Sequence, residues 1–280
     1  MNVGFIGLGN IGKPMARRLL SLGGTVTVYD LNPAPLKELE GLGAKLAETP
    51  AQLAGACEVI GLCVRDDADV EALLRGAGGL LQNAARGSII AIHSTVTQKA
   101  LLGWAQDAAA CGLHLIDAPI TGGAAGAEAG TLAYMVGAEA AVLERCRSVF
   151  ATSGSKIIHA GPVGAGIALK LCNNLMTYAA FSAMNEAHAL AVAAGLDPAL
   201  LIEVGRANGV VTPQMEAFIG GREKLLATGQ QAYFKPFAAL GKKDLEAALA
   251  SAQALGLKLP MTEHLLGLIE GVFMKAPLTA

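Results

Sequence analysis

From Asn2 to about Gly161, short β-branched and aliphatic runs alternate with Ala/Leu-rich segments of helical spacing, the pattern of βα units stacked on a parallel sheet. It predicts strands at Val3–Ile6, Thr25–Tyr29, Val59–Cys63, Ser88–Ile92, Leu113–Ile116, Leu132–Val136 and Lys156–His159. After Gly161 the alternation stops, and long Ala/Leu/Met segments run to the C-terminus. The expected organisation is an α/β domain over residues 1–162 and an all-α domain over 163–280, joined by a long interdomain helix because no low-complexity linker separates them. The stretch Leu175 to Leu196 has the length of a membrane span, but Asn185, Glu186 and His188 in its middle would be costly in lipid. It reads as a buried helix.

Composition narrows the partners. The chain is 53% hydrophobic and 16% charged, which suits a well-buried globular protein. A net charge of −2 with evenly mixed signs offers no basic stripe for nucleic acid and no polybasic patch for a membrane surface. Cys57, Cys63, Cys111, Cys146 and Cys172 are odd in number and form no CxxC pair, which argues against a disulfide framework or a zinc site and for a reducing cytoplasm. The apolar start lacks a basic segment and is broken by Gly4, Gly7 and Gly9, so it does not read as a signal peptide. His93, His114, His159, His188 and His264 show no metal-ligand spacing, and no metal is expected.

The run Gly7-Leu8-Gly9-Asn10-Ile11-Gly12 places G-x-G-x-x-G directly after a predicted strand and at the opening of a helix. An ordinary Gly-rich βα turn would look similar, so the context decides. Gly7 allows a tight turn, Gly9 lets a pyrophosphate approach the backbone, and Gly12 lets helix pack on strand, while the helix N-terminus faces the phosphates. The second strand ends in Asp30, eighteen positions after Gly12 and close to the ~20-residue spacing of a ribose-binding acid. Together these predict a Rossmann domain. A carboxylate at Asp30 repels a 2′-phosphate, and Leu31 follows where an Arg would welcome one, so NAD is expected over NADP. Arg17 and Arg18 read as a solvated helix face.

Three later segments carry more chemistry: Asp117-Ala118-Pro119-Ile120-Thr121-Gly122-Gly123 after a strand, Gly161-Pro162-Val163-Gly164-Ala165-Gly166 leading into a helix with Lys170 and Asn174, and Lys242-Lys243-Asp244-Leu245. With the N-terminal fingerprint, in this order and spacing, they resemble the β-hydroxyacid dehydrogenases over nearly the whole chain. The residues read compatibly. Lys170 and Asn174 are four apart, so they share one helix face. Lys170 would exchange a proton with a substrate hydroxyl while Asn174 holds the substrate. Thr121-Gly122-Gly123 offers a hydroxyl and approachable backbone N–H groups as a cradle for a carboxylate. A lysine acts as a base only when partly desolvated or near positive charge, which oxidised nicotinamide and Lys243 would supply.

The resemblance implies that the substrate carboxylate sits in the cradle with its carbinol carbon under the nicotinamide. It also implies that Thr95, in His93-Ser94-Thr95 at the end of a strand, lies near the nicotinamide, and that Lys243 lies near cofactor or substrate with Asp244 holding the segment. It implies a homodimer or homotetramer, in line with the apolar Met176, Tyr178, Phe181, Met184, Leu190 and Val192 on one segment. Cys172 reads as a small core residue. The expected activity is NAD-dependent hydride transfer with a small 3-hydroxy acid or its semialdehyde. Imine reduction on the same architecture is the nearest alternative, although Lys170 favours carbonyl chemistry; a non-catalytic nucleotide-binding regulator is a second. Ile120-Thr121 stands where many relatives carry Val-Ser, which leaves the substrate's C2 substituent open.

Overall fold

The computed structural model describes residues 1–276 and 278, and it divides the chain into two compact units, Met1–Lys170 and Leu171–Ala280. The boundary falls inside one continuous 29-residue helix, Ala165–Ala193. The units are described separately.

In the first unit, strands β1 (Val3–Ile6), β2 (Val26–Tyr29), β3 (Lys45–Leu46), β4 (Val59–Leu62), β5 (Ile89–Ile92), β6 (His114–Asp117), β7 (Ile120–Thr121), β8 (Leu132–Gly137) and β9 (Gly154–Gly161) form one sheet. Its order begins β3-β2-β1-β4-β5-β6, all parallel. Both faces are covered. Val59, Ile89 and Ala91 enter one apolar core, whereas their neighbours Ile60, Ile90 and Ile92 enter the other, the two-residue period of a strand buried on both sides. Helices α1 (Gly12–Leu19) and α8 (Ala140–Ala151) contribute to the first core; α3 (Pro50–Ala56), α4 (Asp67–Arg75) and α6 (Gln98–Ala110) contribute to the second.

The sheet is not wholly parallel, which corrects the expectation of parallel βα units throughout. β8 runs antiparallel to β6 and β7 and parallel to β9. The reason is length. β6 and β7 span residues 114–121, roughly 26 Å of extended chain, but α7 (Gly123–Ala129) has only seven residues, or about 10 Å of helix. Such a helix cannot return the chain to the start of the sheet, so the next strand runs back. The two-residue strands β3 and β7 are too short to leave a periodic signal.

The second unit is helical: the greater part of α9 (Ala165–Ala193), then α10 (Pro198–Ala207), α11 (Pro213–Ala227), α12 (Lys235–Ala254) and α13 (Pro260–Met274), with α2 (Pro33–Gly41) and α5 (Leu80–Asn83) completing the helices of the first. Tyr178, Phe181, Met184, Phe218 and Phe273 lie in its core, with the Phe181 and Phe218 rings stacked at 4.2 Å. Among the described residues no helix is long and apolar enough to cross a membrane.

Candidate active site

Strands β2 and β4 flank β1, so connections leave in opposite directions there, and a crevice opens at the strands' carboxyl ends. Ile6 and Gly7 at the end of β1, Tyr29 and Asp30 at the end of β2, and Cys63 and Val64 after β4 line a cleft of about 680 Å³. Gly9, Asn10, Ile11 and Gly12 line it too, with Leu31, Arg65 and Asp69. Leu8 is buried beneath the loop.

The three glycines have different causes. A Cβ on Gly7 would lie 2.3 Å from the Cys63 carbonyl oxygen, and its φ is +93°; a Cβ on Gly12 would lie 1.9 Å from the Gly7 oxygen. The protein itself forbids side chains at both. A Cβ on Gly9 would meet nothing within 4 Å. What its glycine keeps clear is the cleft side of the loop, the room a pyrophosphate needs to reach the backbone. No side chain caps the N-terminus of α1, so its positive dipole end faces the cleft, although in the first turn the Lys13 N–H donates to the Gly9 carbonyl and Pro14 has none. The cleft fits a dinucleotide.

Asp30 does more than its spacing suggests. Its Oδ2 accepts from the Leu8 N–H at 2.5 Å and its Oδ1 from the Asn32 N–H at 2.7 Å, so it ties the Gly-rich loop to the end of β2. Leu31 beside it is 87% exposed. Arg65 forks onto Asp69, with Nε to Oδ2 and Nη2 to Oδ1 both at 2.8 Å. After β5, the Ser94 hydroxyl donates to the Val64 carbonyl and accepts from its N–H, fastening the half-buried Thr95 segment to the end of β4.

Thr121 closes β7 against Ala133 of β8. Gly122 and Gly123 follow at φ +122° and +62°, values that side chains resist, and both are exposed. The turn therefore presents open backbone beside the half-buried Thr121.

Asp117, which the sequence reading left without a role, sits one residue past Ile116 at the end of β6, and it is 1% exposed. Its Oδ1 accepts from the Gly164 N–H at 2.8 Å and its Oδ2 from the Ile167 N–H at 2.7 Å, at the start of α9. Burial raises its pKa from the ordinary carboxylate value, and the N–H groups of Gly164, Ile167 and Gly166 work in the opposite direction. Lys170 is half-buried on the next turn of this helix.

Within the second unit, Asn174 and Lys243 meet around a buried carboxylate. Asp244 Oδ2 accepts from Asn174 Nδ2 at 2.7 Å and from the Tyr178 hydroxyl at 2.9 Å, and Lys243 Nζ lies 3.9 Å from Oδ1. Asn174 Oδ1 accepts from Asn173 Nδ2 at 3.2 Å. The amide is thus held in a fixed orientation. Burial and the adjacent Asp244 carboxylate push the Tyr178 hydroxyl pKa far up, so it stays a donor.

Other side chains depart from their expected roles. Arg18 donates to the carbonyls of Ala127 and Glu128 and Arg17 pairs with Glu128, so these arginines clamp the C-terminal end of α7 rather than form a solvated face. Cys172 is exposed, because Leu171, Asn174 and Tyr178 make the buried stripe of α9 and position 172 points away from it. Of the six apolar residues noted on this helix, Tyr178, Phe181 and Met184 are buried in their own unit, whereas Met176, Leu190 and Val192 are exposed. His93 is a core residue: Nδ1 is 2.9 Å from the Ala118 carbonyl, and its ring stacks on Phe5.

Known proteins place this arrangement in a family. The profile of the NAD binding domain of 6-phosphogluconate dehydrogenase matches residues 2–161, and that of the NAD-binding domain of NADP-dependent 3-hydroxyisobutyrate dehydrogenase matches residues 164–275. A 2-(hydroxymethyl)glutarate dehydrogenase of Eubacterium barkeri is 37% identical over 273 residues, 97% of this chain and 89% of its own. A 3-hydroxyisobutyrate dehydrogenase of Pseudomonas aeruginosa is 37% identical over 276 residues, 93% of this chain and 88% of its own. The Mycobacterium tuberculosis 3-hydroxyisobutyrate dehydrogenase solved with L-serine superposes with a TM-score of 0.83 at 28% identity, covering 96% of this chain and 92% of that one. The chain is a nicotinamide-dependent dehydrogenase of the β-hydroxyacid dehydrogenase family.

Proposed function

We propose that the protein oxidises a small 3-hydroxy acid, or reduces the corresponding semialdehyde, with NAD in preference to NADP, and that Lys170 moves the hydroxyl proton. The observation that carries the cofactor half is the cleft beside β1, where Gly9 keeps its side clear and Asp30 stands at the β2 edge without a guanidinium committed to a 2′-phosphate, since Arg65 is engaged by Asp69. The substrate half is supported by the positive-φ pair Gly122-Gly123 beside Thr121 and by Lys170 and Asn174 on successive turns of α9.

When bound, the nicotinamide supplies the hydride acceptor. Thr121 and the Gly122-Gly123 backbone hold the substrate carboxylate, Lys170 Nζ takes the hydroxyl proton during oxidation and returns it during reduction, and Asn174, oriented by Asp244, steadies the hydroxyl. Thr95 and Lys243 are assigned to the nicotinamide end of the cofactor. The named relatives act on 2-(hydroxymethyl)glutarate and 3-hydroxyisobutyrate, which share a carboxylate two bonds from a CH2OH carbon and differ in the other substituent on C2.

The test is NADH formation across 3-hydroxyisobutyrate, 2-(hydroxymethyl)glutarate, glycerate, 3-hydroxypropionate, serine and 4-hydroxybutyrate, repeated with Lys170→Ala. Turnover of at least one 3-hydroxy acid is expected, reduced ~10³-fold in the variant with NADH affinity nearly unchanged. Near-normal turnover by Lys170→Ala would remove the lysine from the chemistry. Turnover of cyclic imines and of none of these acids would favour an imine reductase instead.

A further inference from the structure

We propose that Asp117 is a positioning residue for this reaction, holding the first turn of α9 so that the Lys170 amine is fixed relative to the substrate turn. The inference rests on the assignment of Lys170 as the proton-transferring group.

The first N–H groups of a helix have no partners within it. Before α9 the chain reads Gly161-Pro162-Val163-Gly164-Ala165-Gly166, which supplies no side-chain acceptor of its own. The acceptor comes instead from the end of β6, forty-seven residues upstream of Gly164, and it is a carboxylate bonded at both oxygens. An anion at a helix N-terminus is favoured by the aligned peptide dipoles, and a charge-assisted pair of bonds fixes rotation as well as distance.

The slot around the carboxylate is shaped to hold it in one place. A Cβ on Gly137 of β8 would lie 2.3 Å from Oδ1, and a Cβ on Gly166 would lie 2.9 Å from Oδ2 and 2.3 Å from the Met135 carbonyl oxygen. Residue Asp117 is itself paired in register with Ile92 of β5 and Gly137 of β8. The sheet thus reaches through one side chain to the helix start, and Lys170 follows Ile167 by three residues, about 4.5 Å along the axis. The chain from Asp117 to the substrate turn is equally short: Thr121 lies four residues on, and Pro119 and Ile120 between them are tied to β8. One strand end therefore sets both the cradle and the lysine. A shift of about 1 Å in such a group costs on the order of 10²-fold in rate.

The experiment is a double-mutant cycle on the full chain, using the 3-hydroxy acid turned over fastest. Asp117→Asn keeps the shape but turns one acceptor into a donor aimed at an N–H. Its kcat is expected to fall roughly 10- to 100-fold, with the KM for NAD within about twofold of the parent. In the Lys170→Ala background, with residual turnover raised by added methylamine, the same substitution should cost less than about twofold. Gly137→Ala, which leaves Asp117 in place but crowds Oδ1, should reproduce the pattern and serves if Asp117→Asn folds poorly. Equal losses in both backgrounds, or an unchanged kcat, overturn the positioning role while leaving Lys170 in place. Failure of both variants to fold overturns it too, because Asp117 then serves the fold. Near-normal turnover of Lys170→Ala alone sinks the lysine assignment, and the proposal with it.

Discussion

Replacing the glycines of the β1–α1 loop one at a time should separate the fold from the ligand. Gly9 is not among the positive-φ glycines, and a Cβ there meets nothing within 4 Å. Gly9→Ala should therefore leave the apo protein intact or stabilise it by about 0.4–1 kcal/mol, through the smaller entropy of the unfolded chain. Gly12→Ala places a methyl 1.9 Å from the Gly7 oxygen and 3.2 Å from Phe5 Cε1. The backbone must move, at roughly 1–3 kcal/mol or more. The ligand reverses the ranking. At a concentration 100 times its Kd, NADH stabilises the parent by about 2.7 kcal/mol; a 100-fold weaker Kd leaves about 0.4 kcal/mol at the same concentration. At about 2–4 °C per kcal/mol for a chain of this size, the NADH-induced rise in Tm should drop from about 5–11 °C to about 1 °C in Gly9→Ala. Thermal melts with and without NADH, backed by quenching titrations, measure both quantities. A Gly9→Ala protein that keeps the full NADH shift would show that no pyrophosphate passes that backbone, and the cleft would need another occupant.

Three further outcomes follow from named residues. Asp30→Ala with Leu31→Arg should raise the ratio of NADP to NAD kcat/KM by about 10-fold or more, and because the loss of the Leu8 N–H bond affects both cofactors alike, an unaltered ratio would mean that another feature selects between them. Burial holds the His93 pKa down at about 4 from an ordinary 6.5, so in that window the unfolded chain binds the extra proton and the native one does not; stability should fall by up to about 3 kcal/mol as pH drops from 6.5 toward 4. His93→Asn should flatten that slope in urea titrations, and an identical slope would place the acid sensitivity elsewhere. Met176, Leu190 and Val192, at 67%, 72% and 53% exposure, should be covered in a homodimer or homotetramer, which sedimentation at micromolar concentration would contradict by returning a monomer.

The legible parts of this molecule are those whose cause is local. Fully apolar runs such as Ile89–Ile92 announce a strand buried on both faces, and Gly12 is demanded by the Gly7 carbonyl five residues back, although Gly7 itself answers to the distant Cys63 carbonyl. What escaped the sequence depends on distant partners. The reversal at β8 follows from a helix of seven residues measured against the strands before it. Asp117 could be seen as part of a motif, but its carboxylate acts on N–H groups nearly fifty residues on. The signal that could have found it was the absence of any Ser, Thr, Asp or Asn at the start of α9, a helix whose first turn had to be satisfied from elsewhere.

That absence belongs to a wider property of α9. From Ala165 to Asn185 the helix carries one charged residue, Lys170. Apolar packing alone resists rotation and sliding weakly, since neighbouring ridges offer alternative seatings, whereas a hydrogen bond to a fixed acceptor allows one. The chain supplies two such acceptors. In the first unit Asp117 takes the backbone N–H groups of Gly164 and Ile167; in the second, Asp244 takes the side chains of Asn174 and Tyr178. Each carboxylate is nearly inaccessible to water, at 1% and 3% exposure, and burying a charge is costly unless its bonds are complete. Residues placed at that cost on either side of Lys170 along one helix define the register of the turn that carries it. Under the proposed role of Lys170, its amine must meet a hydroxyl within hydrogen-bond reach, which needs the helix held to a fraction of an ångström, and each acid fixes the part of α9 that lies in its own unit.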